Sequence, residues 1–478
     1  MLLRQIYDED LAHAAWLLGC QKTGEAIVFD PARDIDRYLG LADAHGLKIT
    51  AVAETHVHAD FLSGAQAVAQ ATGATVYLSD HGGEAWSARW AEPLKHVMLR
   101  HGDIFRVGGI DFSACHTPGH TPEHLSYMVT DVGGGADEAF GILSGDFVFV
   151  GDLGRPDLLE RAAGHEGVMQ RSAKELASST RDFLKLKDYL QVLPAHGAGS
   201  ACGKALGAIP QSTVGYERRF NSAMALVDDE DLFVKSILEG QPAPPLYFAR
   251  MKTQNRDGVP QLTSMPTPKE CEPAELDQHG RVVVDVREWT AFSAGHLSGA
   301  LWSRTGPFFC ASVGSYVMPE ERIALVCRPK DVDRLTRCLV RIGLDRVEAW
   351  CSIRSFEKAQ TSNLIQTTSI EDVSLDQLPE RLESGMPVLD VRRTDEYEAG
   401  HLAGAINIPH TKLLDRLKDV PGSGNPILVH CQAGVRSAAA CSILARRGFD
   451  VLNIPAGWGG LEKTTLPKSR IRTDAKVV

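Results

Sequence analysis

Thr-His-Val-His-Ala-Asp-Phe, residues 55–61, follows the β-branched run ITAVAE at 49–54. His56 and His58 leave the expected strand on alternate positions, and Asp60 follows at the turn. Imidazole and carboxylate suit borderline divalent metals such as zinc and ferrous iron. A single histidine is more often structural than a ligand. Here the series continues, with HTPGH at 116–120, SGD at 144–146 and PAHG at 194–197. That ordered set predicts a metal site. The runs around it, EAIVFDP, DFSACHTPGH and GILSGDFVFV, also end in His, Asp or Gly and alternate with helical patterns such as DIDRYLGLADAHG. Polar side chains at strand ends are how α/β proteins build sites. Residues 205–245 read as mainly helical.

The 478 residues fit about three domains. Apolar residues make up 44% and charged residues 23%, as in ordinary globular protein. Fifty basic and 61 acidic side chains leave a net charge of -11. That balance argues against nucleic-acid or anionic-membrane partners. No apolar run approaches the roughly 18–20 residues of a membrane span. The opening MLLRQIYDED meets charge too early for a secretory signal, so a cytoplasmic location of bacterial type, or an organelle interior, is expected. Ten cysteines form no C-x-x-C pair, which excludes a zinc knuckle or thioredoxin motif. Two have unusual surroundings, Cys202 and Cys431.

The second half repeats itself. DVREWTAFSAGHLSGA at 285–300 returns as DVRRTDEYEAGHLAGA at 390–405, 105 residues later. The strands IALVC, ending at Cys327, and ILVHC, ending at Cys431, match as well. Two homologous α/β domains with parallel sheets are expected. The expected organisation is a first domain over 1–250, a linker at 251–273, a first repeat copy at 274–360, a short linker at 361–369 and a second copy at 370–478.

Cys431 opens Cys-Gln-Ala-Gly-Val-Arg-Ser, between a strand and an Ala-rich helix. Such a loop can curl its amide N–H groups around the sulfur, with the helix N-terminus behind it, and lower the thiol pKa. Gly434 permits the tight turn and Arg436 adds positive charge. Cys431 is therefore the expected nucleophile. Asp390, Arg392 and His401 occur in both copies and are expected to brace the fold. After Cys327 comes Arg-Pro-Lys-Asp-Val-Asp. Pro329 removes an amide donor, and Asp331 and Asp333 add negative charge. A non-catalytic first copy is expected.

The metal series resembles the metallo-β-lactamase fold, an αββα sandwich with metal at the loop edge. HTPGHTPEHLSY and SGDFVFVGDLGRPDL narrow the resemblance to bacterial persulfide dioxygenases (sulfur dioxygenases) fused to rhodanese domains. The Cys431 loop, DVR and GHLAGA resemble single-domain rhodaneses. The implied fold is an α+β metallo-β-lactamase sandwich followed by two rhodanese-like α/β domains. Dinuclear hydrolases of the superfamily carry H-x-H-x-D-H, whereas here the last position is Phe61. A mononuclear centre is favoured. The resemblance implies one Fe(II) per chain, held by His56, His120 and Asp146. It assigns neither His116 nor His124 as a ligand. His58, Asp60 and His196 are either groups that orient the ligands or plain loop braces. Arg155 either faces substrate or pairs with Asp157. Cys202 either handles sulfane sulfur or is an inert buried thiol.

The implied activity is oxidation of a low-molecular-weight persulfide by O2 to sulfite and thiol. It is coupled to rhodanese transfer through Cys431 to or from sulfite or thiosulfate, in sulfide detoxification. Two alternatives stay open. One is a glyoxalase-type thioesterase with two metals; the other is a non-enzymatic sulfur relay or sensor using Cys202 and Cys431. A homo-oligomer, dimer or tetramer, is compatible with such folds.

Overall fold

The computed structural model describes residues 1–158, 167–204, 206–422 and 424–471. The chain divides into two compact units, Met1–Met265 with Val340–Gly343, and Pro266–Leu339 with Leu344–Val478.

The first unit holds two six-stranded sheets. One runs in sequence order through β1 (Leu2–Asp8), β2 (His13–Cys20), β3 (Glu25–Phe29), β4 (Lys48–Ala53), β5 (Thr75–Ser79) and β6 (His96–Leu99). The other contains β7 (Ile104–Val107), β8 (Ile110–His116), β9 (Leu125–Thr130), β10 (Gly141–Gly145), β11 (Gln191–Pro194) and β12 (Ser212–Thr213), also as neighbours in order. Period-2 alternation explains the layering. Ala14, Trp16 and Leu18 of β2 join Phe112, Ala114 and Tyr127 in a core between the sheets. Ala15 and Leu17 of the same strand face the other way, into a core with Tyr38 and Val68 of the helices Asp36–Ala44 and Ala65–Thr72. The outer face of the second sheet packs Ile142 and Val192 against Leu176 of the helix Met169–Phe183 and Phe233 of the helix Glu230–Leu238. These layers form the expected αββα sandwich.

Two sequence readings change in detail. GILSGDFVFV is strand only to Gly145, after which Asp146–Val150 turns while keeping its side chains buried. Gly145 has φ 55°, and a Cβ there would stand 2.5 Å from His124 Nε2. The chain must leave the sheet at this point. The expected linker at 251–273 begins as helix, Phe248–Asp257, with Met251 and Asn255 buried.

The second unit contains two parallel sheets. The first copy orders β13 (Lys269–Glu270), β17 (Val347–Ser352), β16 (Ile323–Cys327), β14 (Val282–Asp285) and β15 (Leu301–Trp302). The second orders β20 (Ile406–Asn407), β18 (Val388–Asp390), β21 (Ile427–His430) and β22 (Val451–Asn453). A small sheet pairs β19 (His401–Leu402) with β23 (Lys468–Ser469). The repeat is visible bond for bond. Arg287 spans Asp285 and the Gly295 carbonyl, and Arg392 spans Asp390 and the Gly400 carbonyl. His296 stacks on Phe292, and His401 stacks on Tyr397. These are bracing contacts. Among the described residues, no helix is long and apolar enough to cross a membrane.

Candidate functional site

All four pieces of the metal series leave the sandwich at one edge, at the ends of β4, β8, β10 and β11. His56, His120 and Asp146 are buried, and one ligand atom from each lies within 4.8 Å of the other two. His56 Nε2 is 3.7 Å and His120 Nε2 3.5 Å from Asp146 Oδ2. That oxygen has no hydrogen-bond partner among the described residues. Burial of a bare carboxylate oxygen is costly unless something cationic meets it.

The far sides of the ligands are fixed. Thr55 Oγ1 donates to Asp30 Oδ2 at 3.0 Å, so at 2.9 Å His56 Nδ1 must be the donor to Thr55. His120 Nδ1 donates to the Arg155 carbonyl at 2.9 Å. Both imidazoles therefore present a free Nε2 lone pair toward Asp146. Burial, with the neighbouring His58, keeps His56 well below its ordinary pKa, hence neutral. The donor set fits a divalent metal in a two-histidine, one-carboxylate arrangement.

His196 Nδ1 donates to Asp146 Oδ1 at 2.6 Å, and its Nε2 lies 2.8 Å from Asp60 Oδ2. Burial opposes charge on His196, but Asp146 and Asp60 outweigh it and hold its pKa up to about 10. Cys202 converges on Asp60 and His196 in a second donor group. Burial, reinforced by the Asp60 and Asp146 charges, pushes its thiol well above the ordinary range. His58 turns aside to Asp30, at 3.1 Å, and Glu54, at 3.0 Å. Phe61 packs between His13 and His58, with ring centroids 4.1 and 4.4 Å away.

Arg155 takes the ion-pair alternative. Its guanidinium forms two 2.7 Å bonds to Asp157 and also reaches the Ala201 and Pro242 carbonyls. His124 Nε2 accepts the Asp146 backbone N–H, and His116 bonds the Pro122 carbonyl. Sequence reasoning missed Asp30, Thr55 and Asn255. The Asn255 side chain donates to the His58 and Phe61 carbonyls and accepts from Ser63 N–H, which pins the whole 55–61 loop.

In the second unit, the Gly434 N–H donates to Cys431 Sγ at 3.2 Å, and the helix Val435–Arg446 starts behind it. Gly434 has φ 89°, and a Cβ there would lie 2.7 Å from the Pro455 carbonyl oxygen. Arg436 makes a two-pronged pair with Glu396, at 2.6 and 2.8 Å. Glu396 was also missed, although the repeat places Ala291 opposite it. Around Cys327 the loop is a 3-10 turn, Pro329–Asp331, and burial together with Asp331 pushes its thiol up to about 12.

A family profile described as metallo-beta-lactamase superfamily matches residues 8–196, and one described as rhodanese-like domain matches 374–464. The crystal structure of a metallo-beta-lactamase from Staphylococcus aureus is 38% identical, with a TM-score of 0.66, covering 74% of this chain and 99% of that one. A beta-lactamase hydrolase-like protein of Xylella fastidiosa is 27% identical over 248 residues, 47% of this chain; the chain spans about half, 52%, of that relative's length. The mitochondrial persulfide dioxygenase ETHE1 of Mus musculus is 27% identical over 261 residues, 54% of this chain and 89% of that protein.

Proposed function

The chain belongs to the metallo-beta-lactamase superfamily and carries a rhodanese-like domain toward its C-terminal end, and from that premise we propose a two-site enzyme of sulfur metabolism. Its first site oxidises a low-molecular-weight thiol persulfide. The balanced reaction is R–S–SH + O2 + H2O giving R–SH, sulfite and two protons. The observation that carries this reading is the convergence of His56, His120 and Asp146, whose Oδ2 has no hydrogen-bond partner among the described residues, with Phe61 where a second-site histidine would stand. Ferrous iron held by these three residues would supply the redox chemistry that activates dioxygen. The chain's own part is to aim and hold. Thr55 and the Arg155 carbonyl fix the two imidazole tautomers. His196 and Asp60 hold Asp146 from behind. His58 is kept out of the set by Asp30 and Glu54.

The second site transfers sulfane sulfur. Cys431 Sγ attacks the outer sulfur of thiosulfate, one S–S bond forms as another breaks, and sulfite leaves with the electron pair. The reverse direction suits the same residues. We take 274–360 as the non-catalytic copy and 370–478 as the catalytic one. Cys327 lacks the glycine turn that lets Gly434 reach Cys431.

One observation favours a second reading. Asp60, His196 and Cys202 form another donor group, which a two-metal hydrolase would use. Metal content separates the two: one iron per chain supports the dioxygenase, two zincs the hydrolase. The direct test adds a persulfide to anaerobically purified, iron-loaded protein and follows O2, sulfite and thiosulfate. Uptake with sulfite or thiosulfate formed is expected. No uptake across several persulfides, with iron bound, would falsify the dioxygenase reading.

A further inference from the structure

The second repeat copy carries a groove that transfer from thiosulfate leaves unused. β18, β21 and β22 run parallel, so Asp390, His430 and Asn453 end side by side. Parallel α/β sheets bind ligands just outside such carboxyl ends. The Cys431 loop, the helix Thr394–Ala399 and the helix Gly457–Leu461 all follow those ends. Residues of both helices and of β23 line a groove of about 620 Å³, the size of a small-molecule site.

Bonds tie two walls of the groove to the cysteine loop. The Trp458 N–H donates to the Cys431 carbonyl at 2.7 Å, and the Gly459 N–H to the Gln432 carbonyl at 3.1 Å. Glu396 holds Arg436, at 2.6 and 2.8 Å. Gly400 completes the wall: a Cβ there would stand 3.1 Å from the Trp458 indole and 3.9 Å from Arg470 Nε. The other charges on the groove are Lys463, Lys468, Arg470 and Glu462. Lys468 is anchored on the Thr464 and Leu466 carbonyls, whereas Lys463 and Arg470 are exposed. With Glu396 committed to Arg436, three cations stand against one acid, in a chain whose net charge is -11. Local positive charge beside an indole wall suits an anionic organic molecule.

The first copy supplies an internal comparison. Arg287 lies over the Phe356 ring at 4.3 Å, as Arg392 lies over the Trp458 ring at 4.6 Å. Four residues beyond Phe356 is Gln360, and four beyond Trp458 is Glu462. Gln360 turns inward. Its Oε1 accepts from Arg287 Nη1 at 3.4 Å, and a Cβ on Gly295 would run into its amide. Glu462 is exposed, and Gly400, the counterpart of Gly295, lines the groove. The place that a side chain fills beside the broken Cys327 loop is thus open beside Cys431.

We propose that this groove binds the anionic tail, carboxylate or phosphate, of an organic persulfide whose outer sulfur passes to Cys431. This rests on reading Cys431 as the sulfur-transfer nucleophile. The Cys431 thiolate attacks the outer sulfur of R–S–SH, and one S–S bond forms as another breaks. The proton stays on the transferred sulfur, and R–S⁻ leaves with the electron pair. The groove flanks the loop, so the anion sits one to two residue lengths from the thiol, roughly 4–7 Å. Thiosulfate has no such tail and does not use the groove.

The experiment follows thiosulfate formation from sulfite by the full chain, without O2 so that the first site is idle. The donors are glutathione persulfide, with carboxylates, coenzyme A persulfide, with phosphates, and hydroxyethyl persulfide, uncharged. The readout is kcat/KM for each anionic donor over that for the uncharged one, after subtraction of the uncatalysed rate. In the double variant Lys463→Glu with Arg470→Glu the ratio falls about tenfold, mainly through KM, as two exposed attractions become repulsions. The donor whose ratio falls further identifies the bound group as carboxylate or phosphate. Lys463→Arg with Arg470→Lys keeps the charges and retains the ratio. Added salt moves the wild-type ratio toward that of the reversed variant. Ratios unchanged in the reversed variant for both anionic donors overturn the proposal. Full transfer in Cys431→Ser overturns the underlying reading instead, so the two failures are distinguishable.

Discussion

At the scale of single residues, the site is a set of tautomers and charges fixed by neighbours. The ordered histidines and carboxylates pointed to a metal site, and the family resemblance singled out His56, His120 and Asp146, whose donor atoms the structure brings within 4.8 Å of one another. Their supports were not. Asp30 and Thr55 are ordinary residues in sequence and gain meaning only when β3 and β4 end side by side. Glu123 is a sharper case. Its Oε1 accepts the Val57 N–H, while Oε2 is buried without a hydrogen-bond partner among the described residues. Burial raises its pKa from 4.5 to about 7. A carboxyl whose folded pKa is raised stabilises the fold fully below its unfolded value and loses that contribution as pH rises toward the folded one. The window is therefore about pH 4.5 to 7, and the cost above it is on the order of 3 kcal/mol. Glu123→Gln keeps an acceptor for Val57 and removes the charge. Its melting temperature should exceed wild type at pH 8 and converge with it near pH 4.5. A gain that does not grow with pH would show that Glu123 is not buried as an ionising group.

At the scale of elements, strands were easier to read than helices that serve the site. The αββα layering follows from alternation along β2, where both faces are apolar and each face meets a different core. The helix Phe248–Asp257 hid inside an expected linker because its composition is polar. Its buried residues, Phe248, Met251 and Asn255, do lie three and four apart, on one helical face. The Asn in a core position broke the apolar pattern, and that is the residue with the function. Asn255→Ala leaves the His58 and Phe61 carbonyls and the Ser63 N–H unpaired in a buried place. The expected loss is about 2–4 kcal/mol of stability. Metal affinity should weaken by about tenfold or more, as for other groups that orient ligands. Chemical denaturation and competitive chelator titration check the two effects. A stability loss with unchanged metal affinity would make the helix a structural brace alone.

At the scale of the whole molecule, the repeat at 105 residues is legible in the sequence, whereas the contacts between its two copies are not. Phe308 and Tyr316 carry no motif, and their contacts with His410 emerge only from packing. On the proposed function the two chemistries would use separate donor sets, so single substitutions should separate them. Wild-type protein given only a persulfide and O2 should accumulate thiosulfate, because on that proposal sulfite from the first site would meet sulfane sulfur on Cys431 in the same chain, at raised local concentration. Cys431→Ser should still consume O2 but release sulfite instead. Asp146→Ala should bind no iron and consume no O2, yet still move sulfur from thiosulfate to cyanide. Mixing the two variants should restore thiosulfate, at a rate that falls on dilution more steeply than the wild-type rate does, because sulfite must then cross between chains. Equal dilution behaviour would mean that the fusion gives no advantage in concentration. Joint loss of both activities in either variant would mean that the sites are not independent.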